Sequence, residues 1–401
     1  MFGNKIVTAP EPFIIDVDPI VIERIISRVR EFRWPAEPDD GDWQYGAPLT
    51  FMRTVQRHWL DHYDWATEQR LMNRHHHYTA NIDGERIHFI HERSNDPDAI
   101  PLLLVHGWPG SFREYLDLVT PLTETGSQAF HVVVISLPGY GFSDPPPRPV
   151  TPHAVAALMA RLMTEVLGYD RYMAHGGDWG SMVCGWLAFD HPQACRALHW
   201  TMMGLSPGGD APGFTVAPVA APETDEERDW VKRTQASGVW EFGYAGIQAT
   251  KPLTLSYAMM DSPMGVAAWI LEKFQGWTDR RGEIVTQLIP LDTLLTNVMI
   301  YLVTDSFGPA SWMYRSLMTE GNALPKGERI EVPIGMAAAA FDVIPGPPRS
   351  YVERVGNLVY WTEIERGGHF LAMEQPETLV RDLRQFGQSV REVIKSVPEE
   401  V

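Results

Sequence analysis

The chain is poor in cysteine. Only Cys184 and Cys195 occur in 401 residues, and their spacing is not that of metal ligands. No disulfide framework is expected, and a reducing compartment is the simpler reading. Positive charge is also scarce: 33 Lys and Arg against 51 Asp and Glu leave a net charge of −18. Nucleic acid or an anionic membrane surface would be repelled, so neither is expected as a partner. No window approaches the roughly 18 apolar residues of a membrane span. The opening "MFGNKIVTAPEPF" lacks the basic start and apolar run of a signal peptide. A cytoplasmic protein without a membrane anchor is therefore expected. What remains is ordinary for a soluble enzyme: 44% hydrophobic residues supply a large core and more than one structural unit.

The pattern along the chain is that of an α/β protein. Residues 14–32 and the stretch "WLDHYDWATEQRLMNR" carry apolar residues at helical spacing, separated by a Trp-, Pro- and Asp-rich meander. "HYTANIDGERIHFIHE" alternates about Asp83-Gly84, a hairpin signal. Then "PLLLV", "HVVVI" and "RYMAH" form short apolar runs suited to strands of a parallel sheet buried on both faces. Thr151 and Pro152 open a helix between the last two. Residues 206–225 leave the sheet through Gly, Pro and Ala, and 226–320 read as helices without a clear strand. Strand texture returns at "IEVPIGMAA" and "NLVYWTEI" before a final helix. The expected parts are an N-terminal extension (1–95), the first part of the core (96–205), a helical cap (206–325) and the rest of the core (326–401), with a mostly parallel sheet.

One stretch carries chemistry: "HGGDWGSM", His175–Met182. It has the small–x–nucleophile–x–small spacing of a sharp strand-to-helix turn, with Asp178 where a serine usually stands. His369 follows in the Gly-flanked loop "ERGGHF", and Asp342 lies just past a predicted strand in "AAFDVIPGPP". The order 178, 342, 369 is the nucleophile–acid–histidine order of α/β-hydrolases. "HGWPGS", His106–Ser111, is a second Gly-rich turn after a strand. Its backbone N–H groups, with that of Trp179, suit an oxyanion hole; His106 itself reads as structural. A carboxylate is already ionised at neutral pH and needs no base to attack. It suits saturated carbon, because the resulting ester can be cleaved by water, whereas attack on an ester or peptide would give an anhydride. The substrate then bears an epoxide oxygen or a halide. An epoxide opens to a strongly basic alkoxide that wants an acidic donor, and Tyr244, Tyr257, Tyr301 and Tyr314 of the helical insert are candidates.

The motifs "RWP", "NIDGERIHFIHERS", "LLLVHGWPGSFREYLDLV", "SLPGYGFSDPP", "GGDWGS", "TKP", "DSPMGVAAWILEKFQGW", "LLTNVMIYLVTDS" and "RGGHFLAMEQPE" together make the chain similar to a known family from about residue 12 to 395. It resembles the epoxide hydrolases of the α/β-hydrolase superfamily, of the microsomal and juvenile-hormone type with an N-terminal extension. The resemblance implies Asp178 as nucleophile, His369 as water-activating base and Asp342 as its orienting acid. Tyr244 and Tyr314 take the places of the cap tyrosines, and Trp108 supplies an oxyanion-hole amide, often beside a cis proline. Trp108, Trp179, Tyr244 and Tyr314 are then expected around a small apolar epoxide, with water as co-substrate and no cofactor. The family's microsomal members carry an N-terminal anchor, which is not seen here. Where relatives show an aromatic-proline pattern, this chain has "HHHY" from His75; neighbours along a strand face opposite sides, so no metal site is expected there. A homodimer is left open. So are two other functions: a haloalkane dehalogenase using the same Asp, which halide release would reveal, and a silent binding protein, against which the complete triad and both tyrosines stand. The aromatic cap residues Trp240, Trp269, Phe274, Trp277 and Trp312 suggest an apolar substrate.

Overall fold

The fold comes from a computed structural model that describes residues 7–39, 41–208 and 220–396; most of the Gly/Pro/Ala-rich excursion lies outside them. Nine strands form one sheet: β1 (Glu11–Phe13), β2 (His77–Ile82), β3 (Glu85–Glu92), β4 (Ile100–Val105), β5 (Phe130–Ile135), β6 (Tyr172–Gly176), β7 (Cys195–Trp200), β8 (Ile330–Ala339) and β9 (Gly356–Ile364). Their order is β1-β2-β3-β5-β4-β6-β7-β8-β9. β5 through β9 in that order run parallel, while β1, β2 and β3 pair antiparallel at one edge. The uninterrupted apolar runs have their reason here. Leu102, Leu103, Leu104, Val132, Val133 and Val134 are fully buried because helices cover both faces.

The hairpin forms where the alternation indicated. Ile82 pairs with Glu85, and Asp83 and Gly84 take φ of 56° and 94°, the left-handed pair of a two-residue turn. Because β3 then pairs with β5, the N-terminal segment extends the same sheet as the core. Two helical expectations change. The first helix spans Pro19–Arg30, not 14–32: the Asp18 side chain caps it and Pro19 sits in its first turn, so the residue before proline stays extended. The "WLDHYDWATEQRLMNR" stretch is shared by two helices, Leu49–Asp61 and Trp65–Met72. Asp64 divides them by accepting from the amides of Ala66 and Thr67. Thr151 caps the helix Pro152–Arg161 as expected, its Oγ1 accepting from Ala154 N at 3.1 Å.

Between β7 and β8 the described residues from 225 to 320 are helical, in segments that include Gly243–Thr250, Pro263–Trp277, Leu291–Val303 and Phe307–Glu320. They close over the C-terminal ends of the parallel strands. The last helix, Pro376–Lys395, buries Leu379, Leu383, Phe386, Val390 and Ile394, the 3–4 spacing of one helical face.

The turn after β6 shows why its small residues are needed. A Cβ on Gly176 would lie 2.3 Å from the Gly180 carbonyl carbon, and one on Gly180 would lie 1.8 Å from the Val105 carbonyl oxygen. Both obstacles are backbone and cannot rotate away. At Gly177 the nearest atom is instead the Thr201 Oγ1 side-chain oxygen at 2.6 Å, which can turn aside. We therefore expect Gly180→Ala to cost about 3 kcal/mol or more in urea unfolding and Gly177→Ala distinctly less. Equal stability of the two variants would contradict this packing.

Candidate active site

Asp178 is the first residue of the helix Asp178–Asp190 and has φ 47°. That conformation costs a non-glycine residue on the order of 1–3 kcal/mol and persists only where the surroundings over-determine it. Here the helix start is pressed against β4 through Gly180, and the strained turn lifts the carboxylate toward the loop after β4. There the Trp108 amide donates to Asp178 Oδ1 at 2.8 Å, beside a cis Trp108–Pro109 peptide. Gly107 must lack a side chain, since a Cβ would lie 2.2 Å from the same oxygen. The Trp179 amide lies in the first turn of the helix, where no i−4 carbonyl is available to it. His106 is fully buried and structural: Nδ1–H donates to Gly107 O at 3.0 Å and Nε2 accepts from Leu137 N at 3.2 Å.

His369 reaches Asp178 from the loop after β9. Its Nδ1–H donates to Asp342 Oδ1 at 3.0 Å, and its Nε2 lies 3.3 Å from Asp178 Oδ2 without an aligned hydrogen bond. Burial alone disfavours the imidazolium, but Asp342 and Asp178 outweigh it and hold the ring's pKa well above its ordinary value. The loop is clamped from behind. Glu374 accepts from the amides of Asp279, Gly368 and Phe370 at 2.9, 2.8 and 2.9 Å, while His369 N donates to Trp277 O at 3.0 Å.

The cap brings two tyrosines over this pair. Tyr314 Oη donates to Tyr244 Oη at 3.3 Å. The Trp108 ring stacks on Tyr244 at 4.7 Å, and Trp179 meets Tyr314 edge-on at 4.6 Å. Burial pushes both phenols well above their ordinary pKa, and the Asp178 charge adds to it, so both are protonated donors. The other two candidates go elsewhere: Tyr257 is 76% exposed, and Tyr301 donates to Gly110 O at 2.7 Å. Of the aromatic cap residues, Trp277 meets the His369 ring edge-on at 5.0 Å. Phe274 stacks on Phe370 and Trp269 donates to Gln248, whereas Trp240 is 88% exposed.

The three adjacent histidines do not divide by strand alternation as expected, because only His77 belongs to β2; His75 and His76 both approach Glu92, at 3.8 and 2.9 Å. His76 pairs with Glu92 at the surface, and buried His77 meets His88 at 2.9 Å. Among the described residues no group of three His, Cys, Asp or Glu is arranged to hold a metal ion. Nor is any described helix long and apolar enough to cross a membrane. Cys184 and Cys195 are buried free thiols. Glu114, Glu374 and His175 also stand at or behind the site, and sequence reasoning missed them. Two acids near helix ends and a histidine in a strand carry no local signal of their destination.

A carboxylate on the elbow between β6 and its helix, facing a histidine–aspartate pair at the ends of a mostly parallel sheet, is the arrangement of an α/β-hydrolase. Residues 10–115 match the family described as epoxide hydrolase N terminus, and residues 100–226 match the alpha/beta hydrolase fold. Epoxide hydrolase 1 of Sus scrofa is 31% identical, over 94% of this chain and 88% of its own length. Juvenile hormone epoxide hydrolase of Bombyx mori is 32% identical, over 94% of this chain and 86% of its own. The crystal structure of the silkworm juvenile hormone epoxide hydrolase superimposes with a TM-score of 0.82 at 29% identity, covering 97% of this chain and 95% of that one. The chain belongs to the epoxide hydrolase family.

The clamp behind His369 can be tested. Glu374→Ala leaves three backbone donors without their acceptor, each costing about 1–3 kcal/mol when buried. We expect a total loss of about 3 kcal/mol or more in urea unfolding, together with a fall in kcat as His369 loses its register. Unchanged kcat in the folded variant would show that the loop is held by other contacts.

Proposed function

We propose that the protein hydrolyses epoxides to vicinal diols through a covalent ester on Asp178. The observation that carries this reading is the pair of protonated phenols, Tyr244 and Tyr314, which meet at 3.3 Å against the rings of Trp108 and Trp179 and feel the charge of Asp178. A leaving halide needs no proton, and two buried acids would serve a dehalogenase poorly. An opening epoxide needs one at once.

In the first step Asp178 Oδ2 attacks a ring carbon, the carbon–oxygen bond breaks, and the alkoxide takes a proton from the tyrosine pair. Oδ1, held by the Trp108 amide, becomes the ester carbonyl. Esterification also removes the Asp178 charge. One of the two carboxylates that keep a proton on His369 is then lost, so the ring's pKa falls; its Nε2 proton restores the tyrosine that protonated the alkoxide, and the neutral ring is a base when water must be activated. Water attacks the ester carbonyl and its proton passes to His369, while Asp342 steadies the ring. The negative charge that develops on Oδ1 meets the Trp108 amide, with that of Trp179 available beside it. Collapse releases the diol, its leaving oxygen reprotonated by His369, and the proton left on the Asp178 carboxyl passes to the ring, which restores the starting state.

Three measurements test the scheme. His369→Gln should still be alkylated but not hydrolysed, so intact mass after adding styrene oxide should rise by one substrate; an unmodified mass in the folded variant counts against a water-activating role. In a single turnover in heavy-oxygen water with enzyme in excess, the diol should be mostly unlabelled and the label should remain on Asp178. Label chiefly in the first diol would mean direct attack by water. Replacing both tyrosines by Phe should lower kcat about 100-fold or more, the usual size of an acid-catalytic contribution, without unfolding the protein.

A further inference from the structure

Beside Asp178 lies a cavity of about 10 Å³ lined by Glu114, His175, Asp178, Thr201 and His369 among others, with neither Tyr244 nor Tyr314 in its wall. That is room for about one water molecule, and the walls supply the polar partners a buried water needs. Two of those partners are unsatisfied by protein. His369 Nε2 has no aligned hydrogen bond. His175 meets His199 Nδ1 through its own Nδ1 at 2.9 Å, and no hydrogen-bond partner among the described residues reaches its Nε2. His199 is fixed in turn by Asp382 at 2.9 Å, and Asp382 by Tyr360 at 2.9 Å, so this wall is rigid.

Glu114 is the group without an evident structural purpose. It follows the Gly-rich turn after β4, and its Oε1 occupies the space that a side chain on Gly110 would take, 1.3 Å from the position of that absent Cβ. No ion pair holds it among the described residues. Burial pushes its carboxyl up to about 8; His369 opposes this and Asp178 reinforces it. At neutral pH it is therefore a neutral acid, able both to donate to a water oxygen and to accept from a water proton.

We propose that this cavity is where the hydrolytic water waits, and that Glu114 is its positioning residue, setting the water between His369 Nε2 and the Asp178 carbonyl carbon. The inference rests on the covalent reading above and adds the site of the second reactant. In the step it serves, the water oxygen bonds to the ester carbonyl carbon as one water proton passes to His369, and the ester carbon–oxygen bond breaks when that proton is returned to the departing diol. Glu114 neither gains nor loses a proton overall. It contributes orientation, so its loss should slow ester hydrolysis and leave ester formation alone.

The test separates the half-reactions by rapid quench with styrene oxide, reading enzyme alkylation and ester hydrolysis independently. Glu114→Leu should alkylate within about twofold of the parent rate and hydrolyse the ester about tenfold or more slowly, with alkyl-enzyme accumulating by intact mass. Glu114→Gln, which keeps a neutral donor and acceptor, should restore most of the hydrolysis rate. Gly110→Ala provides a second route: it displaces the Glu114 carboxyl without removing it and should reproduce the selective slowing. Unaltered ester hydrolysis in Glu114→Leu overturns the proposal. So does an equal slowing of both steps, which would mark Glu114 as merely structural. If His369→Gln forms no adduct at all, the covalent reading itself has failed, an outcome distinct from adducts that form and hydrolyse normally in the Glu114 variants.

Discussion

Everything at this site depends on the left-handed backbone of Asp178. A side chain projecting from a regular strand or helix could not face the loop after β4, the histidine loop after β9 and the cap together. The sharp turn between β6 and the following helix makes that possible at a cost on the order of 1–3 kcal/mol. The cost is offset by packing so close that Gly176 and Gly180 touch backbone on neighbouring segments. Strain and close approach belong together: neither would survive without the other.

From that point the chemistry divides by direction. Trp108 N–H holds Oδ1, and His369 stands by Oδ2. The stacked Trp108 and Tyr244 rings join the oxyanion side to the cap, so the donor pair and the nucleophile share one aromatic wall. The polar cavity opens beside Asp178, where Glu114, His175 and His369 gather. In the proposed mechanism an acid is wanted where the alkoxide forms and a base where water enters, and one carboxylate, Asp178, serves both. The charge of that carboxylate also helps to keep a proton on His369, and in the proposed scheme that hold would end when the ester forms.

Behind these groups lies a second tier of support that uses backbone amides. Glu374 gathers three N–H groups of the histidine loop and its neighbour. Such a carboxyl contributes no chemistry to the substrate, yet a ring that must sit between two carboxylates cannot be left to a mobile loop. The Gly367 and Gly368 pair bends the loop, and the clamp keeps the bend in one place.

What the sequence by itself determined was whatever is decided within a few residues. The hairpin at Asp83-Gly84, the Thr151 cap, the buried runs of β4 and β5 and the elbow at Asp178 were all legible, because turn dihedrals, capping and burial periodicity are local. Where a local rule was overlooked the expectation slipped: Asp18-Pro19 starts the first helix late, and Asp64 cuts the second stretch in two. The order 178, 342, 369 pointed to three residues that do come together, and the two tyrosines were picked out only through resemblance, since nothing in the stretch that separates them says that they meet. Tertiary structure alone decided that Trp240 faces solvent while Trp277 borders His369, that Tyr301 serves a backbone carbonyl, and that Glu114 and His175 enclose a cavity. Each of those outcomes depends on which distant segment fills the space opposite a side chain, and chain-local patterns do not carry that information.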